Sequence, residues 1–271
     1  MMKPVRRLLS LLLICTLGVG MQAGARAGVL DNANRSGKLR VGLDYVPPTY
    51  KGGMKFRTPE SVDTVLADDL AAQLKLSSAY QKNGSGNGAM PALKNGRPDV
   101  SLTLAADGEA VAADTVVIPT GYSAGGMAIM RTDTTIKKWE DLKGRTVCVS
   151  EGSPYVGTLA ARYGASEKVM RAPADSLLAV RIGECDATVH DDAMMKELLK
   201  LPEWKKFSAQ LAPTGRQALV LKVRGADASD LATLRQIAAR WNDGFWGSVK
   251  KKWVNNVAFE VYLDQNVPDC H

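Results

Sequence analysis

From residue 39 onward, short apolar runs rich in β-branched residues alternate with stretches whose apolar positions recur at helical spacing. LRVGLDYV (39–46) stops at Pro47 and Pro48 and predicts a strand. Over 61–76, Val62, Val65, Leu66, Asp69, Leu70 and Gln73 fall at i, i+3, i+4 spacing and predict an amphipathic helix. NGSGNG (83–88) reads as a loop, AMPALKNGR (89–97) as a short helix ending at Gly96, and PDVSLTL (98–104) as a strand. Gly125-Gly126 predicts a turn ahead of a strand at AIMR (128–131). WEDLKG (139–144) is one helical turn, RTVCVSE (145–151) a strand, and Gly152-Ser153-Pro154 is expected to open the helix YVGTLAARYG. A strand (168–172), a helix (176–184) and two further strands (185–191 and 217–223) follow. Residues 228–253 form a long amphipathic helical tract broken near Asp243-Gly244. Strands alternating with helices predict an α/β protein built on mostly parallel sheets.

The first 27 residues have a different pattern. Lys3, Arg6 and Arg7 precede an apolar run from Leu8 to Val19, and small residues then stand in A-x-A spacing at Ala23–Ala25 and Ala25–Ala27. This is the layout of a secretory signal peptide, and the apolar run is short against the ~20 residues of a membrane span. Cleavage is expected after Ala27 or Ala25, which makes the mature chain an exported, periplasmic protein.

That segment holds four basic residues and no acid, so its removal takes the formal net charge from +7 to +3. The densest basic run, Lys250-Lys251-Lys252, has no interleaved aromatics and reads as a solvated helix face, which argues against nucleic acid as a partner. There is no C-x-x-C, and His190 and His271 are the two histidines, so neither a metal site nor a cofactor is expected. His190 reads as a buried strand residue, and Trp241, Trp246 and Trp253 as packing residues.

Six segments together resemble the family 3 periplasmic solute-binding proteins, the polar amino-acid receptors of ABC importers. They are LRVGLDYVPP, MPALKNGRPDVSLTL, IPTGYSAGGMAIMR, WEDLKGRTVCVSEGS, IGECDATVHDDA and WNDGFWGSVKKKW, in that order over residues 36–255. The resemblance implies the type II periplasmic-binding-protein fold: two α/β lobes, each a mostly parallel sheet flanked by helices, joined by two crossings with the ligand between them. Lobe 1 is expected over 28–120 plus 215–271, and lobe 2 over 121–214. It also places Cys148 in the first strand of lobe 2 and Cys185 at the start of the strand expected beside it. Similar cysteine pairs in the family imply a Cys148–Cys185 disulfide, with Cys270 left over.

The same resemblance nominates site residues. Tyr45 and Tyr50 flank Pro47-Pro48, where the family places an aromatic over the ligand, and Tyr122 sits at the first crossing. Ser153 matches a hydroxyl at a helix N-terminus, with a plain capping role as the alternative. Asp191 matches the acid that takes the ligand's ammonium group, with Asp192 beside it. The arginine with which the family clamps the ligand carboxylate has no counterpart: Ala110 or Val111 stands at its place, and no arginine lies between Arg97 and Arg131. Arg57 is the candidate substitute. The implied function is the solute-binding component of an ABC importer. Such a protein closes as a monomer around a small polar solute, amino acid-like or amine-bearing, and delivers it to an inner-membrane permease. The alternatives are an accessory protein beside a periplasmic quinoprotein dehydrogenase, or a dehydratase-like enzyme. No convincing nucleophile and base favours the enzyme; Ser248-Val-Lys-Lys251 matches S-x-x-K but lies on the basic C-terminal helix.

Overall fold

The computed structural model describes residues 28–49, 51–83, 97–105 and 111–265. The expected signal peptide, Tyr50, the helix over 89–96, Ala110 and Cys270 lie outside the described residues.

The chain opens with α1 (Val29–Ser36), β1 (Lys38–Leu43), α2 (Asp63–Gln73), β2 (Ser77–Lys82) and β3 (Val100–Ala105). Next come the long strand β4 (Thr115–Met130), a 3₁₀ turn at Trp139–Leu142, β5 (Thr146–Ser150), α3 (Thr158–Tyr163), β6 (Ser166–Met170), α4 (Pro173–Arg181), β7 (Ala187–Asp191) and α5 (Asp192–Leu198). A second 3₁₀ segment (Pro202–Phe207), β8 (Ala209–Gln210), β9 (Thr214–Arg224), α6 (Ala228–Ala238) and α7 (Asp243–Asp264) complete it.

The strands hydrogen-bond in the order β2-β1-β3-β9-β4-β7-β5-β6, with β8 added to β4. β1 pairs parallel with β2 and β3, and β5 pairs parallel with β6 and β7. β4 and β9 run antiparallel to each other and to the strands beside them, β7 and β3. They are the two crossings: one lobe is built on β1–β3 and the other on β5–β7. The inner strands of each lobe are covered on both faces, which is why they read as near-continuous apolar runs. On β5, Cys148 belongs to the larger core cluster, with Leu177 and Trp204, while Val147 and Val149 face the smaller one, with Met130, Leu142 and Val189. That is the period-2 alternation of a strand with both faces buried.

Several local expectations are corrected. Gly125-Gly126 is not a turn, because β4 runs through it and takes up the irregularity as register shifts against β9. Its glycines serve close approach instead. A Cβ on Gly126 would lie 2.8 Å from the Tyr155 ring, and one on Gly125 2.9 Å from the Thr214 carbonyl oxygen. Gly152-Ser153-Pro154 forms a turn without opening the helix, and α3 starts only at Thr158, after Gly157 in the left-handed region at φ +79°. α1 and β2 had no strong signal; β2, SSAYQK, is polar because it is an edge strand.

The break in the C-terminal tract falls at Asn242, whose side chain accepts from the N–H groups of Gly244 and Phe245 at 3.0 and 3.2 Å and so caps α7. α7 packs on α4 and α5, on the β5–β7 side. Trp241, Trp246 and Trp253 are buried along this tract. Cys148 and Cys185 are joined by a disulfide, with their Cα atoms 5.9 Å apart and a sequence separation of 37.

Candidate functional site

The carboxyl ends of β1, β3, β5 and β7 converge on one cavity of about 330 Å³ between the lobes. Ligands bind at this end of the strands in open α/β sheets. Asp44 and Tyr45 reach it from the turn after β1, Glu60, Ser61, Val62 and Asp63 from the entry to α2, and Leu104 from β3. Tyr122 of β4 with Gln217 and Leu219 of β9 close it along the crossings. Gly152, Pro154 and Asp191 face it from the β5–β7 lobe.

Asp191 ends β7, where the strand turns straight into α5, and its side chain projects into the cleft. Two phenols hold it: Tyr122 donates to Oδ2 and Tyr155 to Oδ1, each at 2.7 Å. Burial, and then the charge of Glu60, push its carboxyl up to about 6 against the opposing effect of those two hydrogen bonds. The phenols are themselves shifted upward by burial and by Asp191, so both remain donors. Burial also pushes Asp63, at the first turn of α2, up to about 6. Asp44 accepts from the Asn83 amide and the Thr103 hydroxyl, both at 2.8 Å.

Two bonds bridge the lobes at the cavity. The Tyr45 hydroxyl donates to Glu151 Oε2 at 3.1 Å. The Tyr45 ring lies against Gly152, which has φ +78° and would place a Cβ 2.4 Å from that ring, so glycine is required there twice over. The second bridge is buried: Glu60 Oε2 lies 2.7 Å from His190 Nδ1. The other ring nitrogen of His190 is 2.9 Å from Ser176 Oγ and 2.8 Å from Thr188 Oγ1. Those two hydroxyls donate to the carbonyls of Pro173 and Cys148. With their protons so committed, both hydroxyls are free to accept from Nε2, and Nδ1 faces the Glu60 carboxyl group.

Of the residues nominated from the sequence, the cavity brings together Tyr45, Tyr122 and Asp191. Arg57 lies elsewhere, its guanidinium paired with Asp175 and Asp264. Asp192 points away from the cavity and accepts from Gly125 N, Lys196 and Arg216 at 3.0, 2.7 and 2.7 Å. Burial opposes its ionisation, but these three bonds hold its carboxyl below the usual range. Ser153 is buried in the β5–α3 turn, where its Oγ accepts from Tyr155 N at 3.2 Å. Asp44, Glu60, Asp63, Tyr155 and Gln217 had not been singled out. Asp44 was legible as the neighbour of Tyr45; the others carry no local signal.

No protein-family model matches the sequence, and neither does any curated protein. Solved structures do. A mutant of ArgBP from T. maritima is 21% identical, with a TM-score of 0.55 over 84% of this chain and 99% of that one. The arginine-bound form of truncated ArgBP from T. maritima is 20% identical, with a TM-score of 0.53 over 78% of this chain and 100% of that one. The ancestral amino acid-binding protein AncCDT-1, described as a precursor of cyclohexadienyl dehydratase, is 24% identical, with a TM-score of 0.54 over 83% of this chain and 99% of that one. At such identities the likeness speaks for architecture, and together with the two crossings and the cleft it assigns the chain the two-lobed type II periplasmic-binding-protein fold.

Proposed function

We propose that this protein is a family 3 periplasmic solute-binding protein, the receptor of an ABC importer, and that its cleft takes a small solute carrying positive charge. The observation behind this reading is the charge of the cavity. Asp44, Glu60, Asp63 and Asp191 line one space of about 330 Å³, with no Lys, Arg or His among its described lining residues; Glu60 has His190 behind it, and the other three have no ion pair to any described residue. Carboxylates in a partly dry cavity are costly unless paired, and an ammonium or guanidinium supplies both the charge and directed N–H donors. The rings of Tyr45 and Tyr122 add faces that attract such a cation. The arginine-bound neighbour of the same fold supports the solute class.

A free α-amino acid would also bring a carboxylate, for which no described lining residue offers a cation. Amines, diamines and guanidino compounds therefore fit better than amino acids held by the usual two-ended clamp. On this reading the chain is exported after cleavage of residues 1–27, acts as a monomer, closes by hinge motion at β4 and β9, and hands its solute to an inner-membrane permease.

A thermal-shift screen tests this, with the mature protein set against diamines, guanidino compounds, basic amino acids and dicarboxylates. A true ligand at a hundred times its Kd adds about 2.7 kcal/mol of stability, or about 5–10 °C at this chain length. Stabilisation by dicarboxylates and by no cation would overturn the reading.

A further inference from the structure

A second cavity adjoins the cleft, which it meets at Pro154 and Gln217. It measures about 340 Å³ and lies between the β5–α3 turn, α3 and the start of β9. Its chemistry is the reverse of the first. No carboxylate lines it among the described residues, and two guanidinium groups do, those of Arg162 and Arg216. Arg216 is committed, donating to Asp192 Oδ2 at 2.7 Å and to the Ser123 carbonyl at 3.1 Å. Arg162, on α3, has no ion pair or hydrogen bond to any described residue, and its guanidinium sits 5.6 Å from the centre of the Tyr163 ring.

Aromatic rings build the adjoining wall. Tyr163 stacks on Trp139 with centroids 5.3 Å apart and planes 24° from parallel. Trp139 is anchored through Nε1, which donates to the Ala212 carbonyl at 2.9 Å. Tyr155, buried and packed against Gly126, continues the wall, and its hydroxyl is held by Asp191 on the cleft side.

We propose that this cavity is a second ligand site, for a small aromatic carboxylate. An unpaired guanidinium offers a carboxylate a planar fork of N–H donors. The stacked rings offer a flat apolar surface on which a second planar group gains contact area and offset stacking. The volume falls within the range of small-molecule pockets. An amine, the solute proposed for the cleft, would meet Arg162 as a like charge. The two assignments rest on different residues and stand or fall separately.

Benzoate, with acetate as the ringless control, is the probe, and saturation-transfer NMR and calorimetry are the readouts. Benzoate is expected to bind the wild-type protein and to bind more tightly than acetate. Arg162→Gln is expected to weaken benzoate binding about 10- to 150-fold, the loss of one charge-assisted contact, and Arg162→Lys to weaken it less. Arg162 is exposed, so its replacement leaves the core intact. Asp63→Asn, a change in the cleft, is expected to leave benzoate affinity within about twofold. The proposal fails if benzoate does not bind the wild type, if acetate binds equally well, or if Arg162→Gln binds benzoate unchanged. It fails also if Asp63→Asn changes benzoate affinity by more than about twofold, and a gain most of all, since relief of a cleft carboxylate's repulsion places the probe in the cleft.

Discussion

Replacing Asp191 by Asn should make the ligand-free protein more stable and a cationic ligand bind worse, and the stability gain should vanish in acid. In the folded protein the Asp191 carboxyl is raised from 3.8 to about 6, by burial first and Glu60 second. That shift of roughly two units corresponds to a penalty of about 3 kcal/mol for holding the ionised form in the folded state near neutral pH. The sign follows from proton binding. Between about pH 4 and 6 the folded state keeps a proton that the unfolded state has lost, so stability falls as pH rises through that window and then levels off. Asn carries no charge and escapes this penalty. It returns part of the gain, because its single carbonyl oxygen replaces two carboxylate oxygens that accept from Tyr122 and Tyr155. A net stabilisation of about 1–2 kcal/mol at pH 7.5 remains, or about 2–8 °C in melting temperature. At about pH 4.5 the wild type is itself protonated at Asp191, and the difference should shrink toward zero. The same substitution removes a charge-assisted contact and should weaken a cationic ligand about 10- to 150-fold. Urea unfolding at the two pH values, with calorimetry for the ligand, is the assay. An Asn variant less stable than wild type at pH 7.5, or a difference that does not change with pH, would refute the reasoning.

Arg57→Ala should cost about 1–3 kcal/mol in urea unfolding, because Asp175 and Asp264 lose their shared guanidinium while Lys55 and Arg171 remain nearby, yet should leave cleft-ligand affinity within about twofold. A large affinity loss would instead make Arg57 part of the site. Glu60→Ala should cost about 3–5 kcal/mol by leaving the buried His190 ring without its partner, and the double change with His190→Asn should cost less than the sum of the two single changes. Additive costs would mean the pair is not coupled. Gly126→Ala should destabilise by about 1–3 kcal/mol and also weaken a cationic ligand, because the new Cβ meets the Tyr155 ring at 2.8 Å and pushes the hydroxyl that holds Asp191. Normal ligand affinity in that variant would separate Tyr155 from the site.

The alternation of strands and helices, the fully buried β5 and β7, and the restart of the last helix were legible because each depends on residues close in sequence. Leu39, Val41 and Leu43 announce a strand by their own spacing, and Asn242 caps α7 through N–H groups two and three residues on. Tyr45, Tyr122 and Asp191, which line the cavity, were nominated through the resemblance of their segments to a known family; Tyr45 follows β1, Asp191 ends β7 and Tyr122 lies within the crossing strand β4. Partnership across the chain was not legible. Glu60 meets His190 from 130 residues away, Arg57 finds Asp264 from 207 away, and Gly125-Gly126 reads as a turn until β9 and Tyr155 are packed against it. Local pattern states whether a side chain is apolar, charged or small, but not which distant groups share its space. The charge balance of a cavity is a sum over such neighbours. The local pattern by itself therefore determined a chain of alternating strands and helices, the family resemblance implied two lobes with an acid at the end of β7, and only the tertiary structure decided that four carboxylates face one cleft while Arg57 is drawn away from it.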